Sequence, residues 1–135
     1  MALEWKKIYS VNVKEIDGQH QKIFDLMNKL KRLEENEIQS DTVINVVNEL
    51  EDYSIYHFNT EEKHFDKTKY PETEFHVKQH EKYKKKLSEL KKEVAEKSDK
   101  ETVDKVFNFL RDWWINHIVK VDMEYSEFFN KHGIY

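Results

Sequence analysis

The chain has 135 residues, 37% of them charged, a formal net charge of −4 and no cysteine. That length suits one domain with a buried core, while the small, interspersed charge argues against an electrostatic nucleic-acid footprint. The lack of cysteine excludes disulfides, thiolate nucleophiles and cysteine-ligated zinc or iron–sulfur sites, and no apolar run approaches the ~20 residues of a membrane span.

Residues 1–17 read as an extended arm whose Trp5, Ile8, Tyr9, Val11, Val13 and Ile16 pack on the outside of a helical region spanning 18–135. The opening Met1-Ala2-Leu3-Glu4-Trp5 lacks a signal peptide's long apolar segment, so the expected location is cytoplasmic. Asp17-Gly18 punctuates the start of a first helix, from about Gln19 to Glu35. Along it Ile23, Leu26, Met27, Leu30 and Leu33 recur three and four residues apart. The polar link Asn36 to Ser40 leads to a second helix, Asp41 to about Asp66, whose stripe carries Val43, Val46, Val47, Leu50, Tyr53, His57, Glu61 and His64. Lys67 to Pro71 breaks it, and Pro71 suits the first turn of a third helix. There His76, His80, Tyr83, Leu87, Leu90 and Val94 form a bundle seam. Ser98-x-x-Glu101 reads as a capping box opening a fourth helix, with Val103, Val106, Phe107, Leu110, Trp114, His117 and Val121 inward. The stretch His132 to Tyr135 reads as a helix end.

With only two glycines and one proline there is little turn chemistry for a sheet. The pattern predicts an all-α fold: an antiparallel up-down-up-down four-helix bundle with an N-terminal arm. No large uncapped apolar face is evident, which predicts a monomer.

Five histidines, His20, His57, His76, His80 and His117, fall in four different helices; Glu61 follows His57 by four residues and Asp122 follows His117 by five. Residues four apart share a helix face. In the last three helices these side chains interrupt the apolar stripe, and burying a carboxylate there is costly unless it is paired or binds a metal. Imidazole with carboxylate suits iron, zinc or copper better than calcium or magnesium. Each histidine alone is more often an ordinary core or surface residue, and His20 is the weakest case. The set of seven points to a two-metal site inside the bundle. Asp122 lies about 140° round an ideal helix from His117, so a local π-type widening is expected there.

Two octahedral metals offer twelve positions. If both carboxylates bridge, the five histidines and a solvent-derived bridge leave one position open, which suits a small diatomic ligand. Glu62 is turned about 100° from Glu61 and is expected to support a ligand or be solvated. His64 is expected to hydrogen-bond locally at its helix end, His132 to be exposed, and the run Lys82 to Lys86 to be a solvated face.

The ordered motifs Asp17-Gly18-Gln19-His20, His57-Phe58-x-x-Glu61-Glu62, His76-x-x-x-His80 and His117-x-x-x-x-Asp122 resemble the hemerythrins, above all the single-domain bacteriohemerythrins, across essentially the whole chain. The resemblance implies two iron ions with an oxo or hydroxo bridge, binding O2 reversibly for transport, storage or delivery to a recipient protein. It implies His76, His80 and His117 on the fully coordinated iron, His20 and His57 on the iron with the open position, and Glu61 and Asp122 as bridges. Apolar neighbours would form the O2 pocket: Ile23, Phe58, Trp113, Ile118 and Val119. The last two are both included because helix widening would leave either one inward. The resemblance implies an oxygen-binding protein and not an enzyme, with neither nucleic-acid nor membrane partners. The competing readings are a di-iron enzyme or sensor acting on O2, peroxide or nitric oxide, and a zinc-filled structural bundle.

Overall fold

The structure, a computed structural model, describes residues 3–35 and 38–135. Two residues of the predicted first link, Asn36 and Glu37, lie outside the described residues. The long helices are α1 (Lys14–Arg32), α2 (Ser40–Thr68), α3 (Thr73–Glu96) and α4 (Lys100–Lys120), followed by a short α5 (Ser126–Lys131). No strand occurs among the described residues. Neighbouring contacts run α1 to α2, α2 to α3, α3 to α4 and α4 back to α1, which closes an antiparallel four-helix bundle. Among the described residues, no helix is long and apolar enough to cross a membrane.

The apolar stripes explain the core. Leu26, Met27 and Leu30 of α1, Val43, Val46, Val47 and Leu50 of α2, Leu87, Leu90 and Val94 of α3, and Val103, Val106 and Leu110 of α4 are all buried together. They fill the end of the bundle where α1 and α3 finish and α2 and α4 begin. At the opposite end a second apolar cluster closes the bundle, made of Val11, Val13, Ile16, Phe65, Tyr70, Tyr125 and Phe129.

The arm differs from its prediction. Helix α1 starts at Lys14, so Asp17 and Gly18 lie inside it. Asp17 does not end the arm but folds it back: its carboxylate accepts the Val11 backbone N–H at 2.8 Å and the Ser10 hydroxyl at 2.6 Å. Val11, Val13 and Ile16 are therefore core residues and not an outer layer, while Ile8 faces solvent. Upstream, Leu3 exchanges two backbone hydrogen bonds with the Asn28 amide, at 2.7 and 2.8 Å. This ties the arm along α1 and sets the Trp5 ring 5.6 Å from Phe24.

Three helix ends also differ. Helix α2 closes on Lys69 in the left-handed conformation (φ 57°), so Pro71 sits in the turn and α3 begins only at Thr73. The predicted capping box is not the cap of α4. Asp99 takes that role, accepting the Thr102 N–H at 2.9 Å, while the Ser98 hydroxyl donates to Val94 O of the preceding helix. Finally, α4 does not widen near Asp122. It ends at Lys120, and Asp122–Tyr125 form a 3-10 turn.

Candidate metal centre

Antiparallel topology gathers the chemistry at one end. His20 lies early in α1, His57 and Glu61 late in α2, His76 and His80 early in α3, and His117 late in α4. These positions share one level of the bundle, between the aliphatic core and the aromatic cap. The break after Lys120 lets Asp122 turn inward at the same level. All seven side chains are fully or almost fully buried.

Their donor atoms converge in two groups, Glu61 with His76, His80 and His117, and His20 with His57, Glu61 and Asp122, each with its ligand atoms within 4.8 Å of one another. The Asp122 oxygens divide between the groups. Oδ1 lies 2.9 Å from His76 Nε2 and 3.0 Å from His117 Nε2, and Oδ2 lies 3.1 Å from His20 Nε2. Glu61 directs Oε1 inward, 3.1 Å from His80 Nε2 and 3.4 Å from His57 Nε2. Its Oε2 accepts a 2.5 Å hydrogen bond from the Tyr125 hydroxyl.

Whether these residues fit metal ions is decided by their unpaired atoms. Both nitrogens of His20, Nε2 of His57 and His80, Oε1 of Glu61 and both oxygens of Asp122 are buried without a hydrogen-bond partner among the described residues. Several stand at contact distance from one another, yet none is aligned as donor to acceptor. Buried polar atoms are normally paired, and leaving one unpaired costs about 1–3 kcal/mol. Six of these seven atoms face the common centre, His20 Nδ1 excepted. A shared cation between them satisfies that arrangement, so the residues fit.

The electrostatics carry the same tension. Burial pushes His57 down to about 3, although the Glu61 carboxylate pulls the other way. Burial also opposes charging of His76, but the Asp122 and Glu61 carboxylates beside it outweigh burial and lift His76 to about 10. Burial and the mutual repulsion of the two carboxylates work against ionising Glu61, and the surrounding imidazoles still hold it below the usual carboxylate range. Asp122 is held well below it in the same way, chiefly by His117. Tyr125 is pushed well above its ordinary value by burial and by both carboxylates, so it stays a neutral donor to Glu61.

Supporting groups fix two of the imidazoles. Thr60 donates its hydroxyl to Tyr56 O and accepts from Gln19 Nε2 at 3.1 Å, which turns Gln19 Oε1 towards His57 Nδ1 at 2.7 Å. His57 then carries its proton on Nδ1 and presents the Nε2 lone pair to the centre. His80 does the same through Nδ1, which donates to Glu62 Oε2 at 2.8 Å.

The apolar residues expected around the site differ in burial. Ile23, Phe58 and Ile118 are fully buried in the core that adjoins the cluster. Phe58 stacks on His80 with ring centres 3.9 Å apart. Val119 is a correction: it is 42% exposed, because α4 keeps regular pitch through Ile118 and carries Val119 outward. Trp113 is only partly buried and stacks on His117 at 4.2 Å, beside a surface cavity of about 400 Å³. Trp114, expected as an inward core residue, also lies beside the cluster. Its buried ring lies 6.1 Å from His20 and 5.6 Å from His57. Tyr125 and Gln19 were missed as supporting residues. His64 stays out of the cluster and pairs with Glu15 at 3.0 Å. Exposed His132 bonds locally to Phe128 O.

Comparison with known proteins gives a consistent result. The family model described as "Hemerythrin HHE cation binding domain" matches residues 11–129. A bacteriohemerythrin of Methylococcus capsulatus is 32% identical over 118 residues, covering 87% of this chain and 88% of that protein. One from Clostridium acetobutylicum is 29% identical over 127 residues, covering 91% and 98%. A crystal structure of wild-type hemerythrin superposes with a TM-score of 0.84 at 30% identity, covering 94% of this chain and 97% of that one.

Proposed function

The chain belongs to the hemerythrin family, and from that premise we propose that it binds O2 reversibly at a pair of iron ions, as a carrier, store or local delivery protein. The observation that carries this reading is the ring of buried, unpaired nitrogen and oxygen atoms facing one centre. His76, His80 and His117 would hold one iron, His20 and His57 the other, and Asp122 and Glu61 would bridge them. When bound, the reduced iron pair supplies electrons and an open coordination position for O2.

The protein's part is to hold geometry and keep water out. Asp122 has one oxygen towards each imidazole group, which suits a bridge. The Tyr125 hydroxyl steadies Glu61. Gln19 and Glu62 keep the Nδ1 protons in place on His57 and His80, so both present Nε2. Trp114 lies against His20 and His57 and Phe58 lies between His57 and His80, with Ile23 and Ile118 buried in the same core. Five histidines to two carboxylates favour binding over oxygen activation, because di-iron oxygenases are built around Glu-x-x-His pairs and more carboxylates.

We further propose a cytoplasmic monomer. Its large exposed apolar side chains are Ile8, Ile55, Tyr56, Phe75, Val119 and Tyr135, and of these only Ile55 and Tyr56 share a helix. The function is tested by loading the protein with iron anaerobically and following O2 with an electrode. One O2 taken up per two irons and released under argon is the expected result. O2 consumed and not returned would favour the enzyme or sensor alternatives.

A further inference from the structure

The two halves of the cluster are supported by different chemistry. In one, the His80 Nδ1–H is held by the carboxylate of Glu62 at 2.8 Å. In the other, the His57 Nδ1–H is held by the neutral amide of Gln19 at 2.7 Å, and His20 Nδ1 is buried with no partner among the described residues. A carboxylate accepting an imidazole N–H draws the proton towards itself and leaves more electron density on the opposite nitrogen. An amide carbonyl, carrying no net charge, does so much less. Gln19 cannot reverse its amide to become a donor here, because Thr60 already uses its own hydrogen on Tyr56 O and must accept from Gln19 Nε2.

Resting on the two-metal reading above, we propose that Glu62 and Gln19 are opposed positioning residues that make the two metal positions unequal. Glu62 makes the His76, His80 and His117 position the tighter one, filled first, and Gln19 leaves the His20 and His57 position the weaker one, filled second. Neither residue touches the metal; each acts through the imidazole it holds. The inequality lets the weaker side keep its coordination incomplete while the tighter side anchors the pair.

Co2+ is a redox-stable probe of this order. Metal-free protein is titrated with Co2+ against a chromophoric chelator, and the visible bands of bound Co2+ are recorded at each step. The unaltered chain should bind two Co2+ in separated steps. Glu62→Gln should weaken the first step by about 10–100-fold, the usual effect of losing such a partner, and change the second by less than about 3-fold. Gln19→Glu should do the converse, strengthening the second step by about 10-fold or more and shifting the bands of the second Co2+ only. Glu62 is 30% exposed on its side chain, so glutamine fits in its place, and the gain expected from Gln19→Glu cannot arise from damaged folding. Two steps unmoved by either variant, or both steps weakened alike by Glu62→Gln, would overturn the proposal while leaving the two-metal reading intact. Fewer than two Co2+ bound by the unaltered chain would overturn that reading and the proposal with it.

Discussion

The two ends of the bundle are built from the same helical periodicity and filled with opposite chemistry. At one end Leu30, Val43, Leu90, Val94 and Val103 pack aliphatic surface against itself and need nothing further. At the other, the same inward positions carry imidazoles and carboxylates, several of whose buried atoms lack a hydrogen-bond partner among the described residues. The first end supplies folding free energy, and the second draws on it until a cation arrives. The aromatic cap of Phe65, Tyr70, Tyr125 and Phe129 seals the costly end from water, and Tyr125 also reaches from it into the cluster.

That contrast can be broken experimentally, and the largest effect belongs to the aliphatic end. Leu90→Ala should cost about 2–5 kcal/mol in urea unfolding, by the same amount with and without metal. The metal end should behave differently. Saturating metal at about 100 times its Kd should add about 2.7 kcal/mol to the unaltered chain. Asp122→Asn should lose most of that increment, with iron content falling towards one per chain. Two irons retained by both Asp122→Asn and Glu61→Gln would contradict the assigned bridges.

A pH-dependent effect separates the metal-free and metal-bound states. An unfolded histidine titrates near 6.5. His57 sits at about 3 in the folded chain, so below pH 6.5 the unfolded chain takes up a proton that the native one refuses, and stability falls as pH drops towards 3. The depressed Glu61 and Asp122 add to that acid loss. His76 sits at about 10, so above pH 6.5 the native chain keeps a proton that the unfolded one has lost, and stability falls again as pH rises towards 10. Each proton contributes at most about 1.4 kcal/mol per pH unit. Urea midpoints of metal-free protein should therefore peak near pH 6.5, and bound metal, which needs neutral His76, should remove the alkaline fall. The smallest effect lies far from the cluster: Asp99→Ala removes the α4 cap and should lower the melting temperature by roughly a few degrees, with metal content unchanged.

Much of this was legible in the sequence, because a three-and-four spacing reports which side chains share a face. It identified the four helices and the seven side chains that meet at one level. Helix ends were less legible. Asp17 looks like a start signal, but its carboxylate reaches back to Val11 and lets α1 begin at Lys14. Ser98 reads as the cap of α4, but its hydroxyl is taken by Val94 O of α3 and the neighbouring Asp99 caps α4 instead. The break after Lys120 leaves no periodic trace, and Val119 faces outward because α4 keeps the regular pitch in place of the expected widening. Supporting residues were the least legible. Gln19 supports an imidazole on α2 from α1, and Tyr125 reaches Glu61 from beyond α4, so no local spacing connects partner to ligand.

The most direct test of the account is the visible spectrum of iron-loaded, anaerobically reduced protein through repeated cycles of air and degassing. A charge-transfer band that rises with O2 and disappears on degassing, cycle after cycle, is the predicted result. A single irreversible conversion at the first exposure, or no iron spectrum at all, would contradict it.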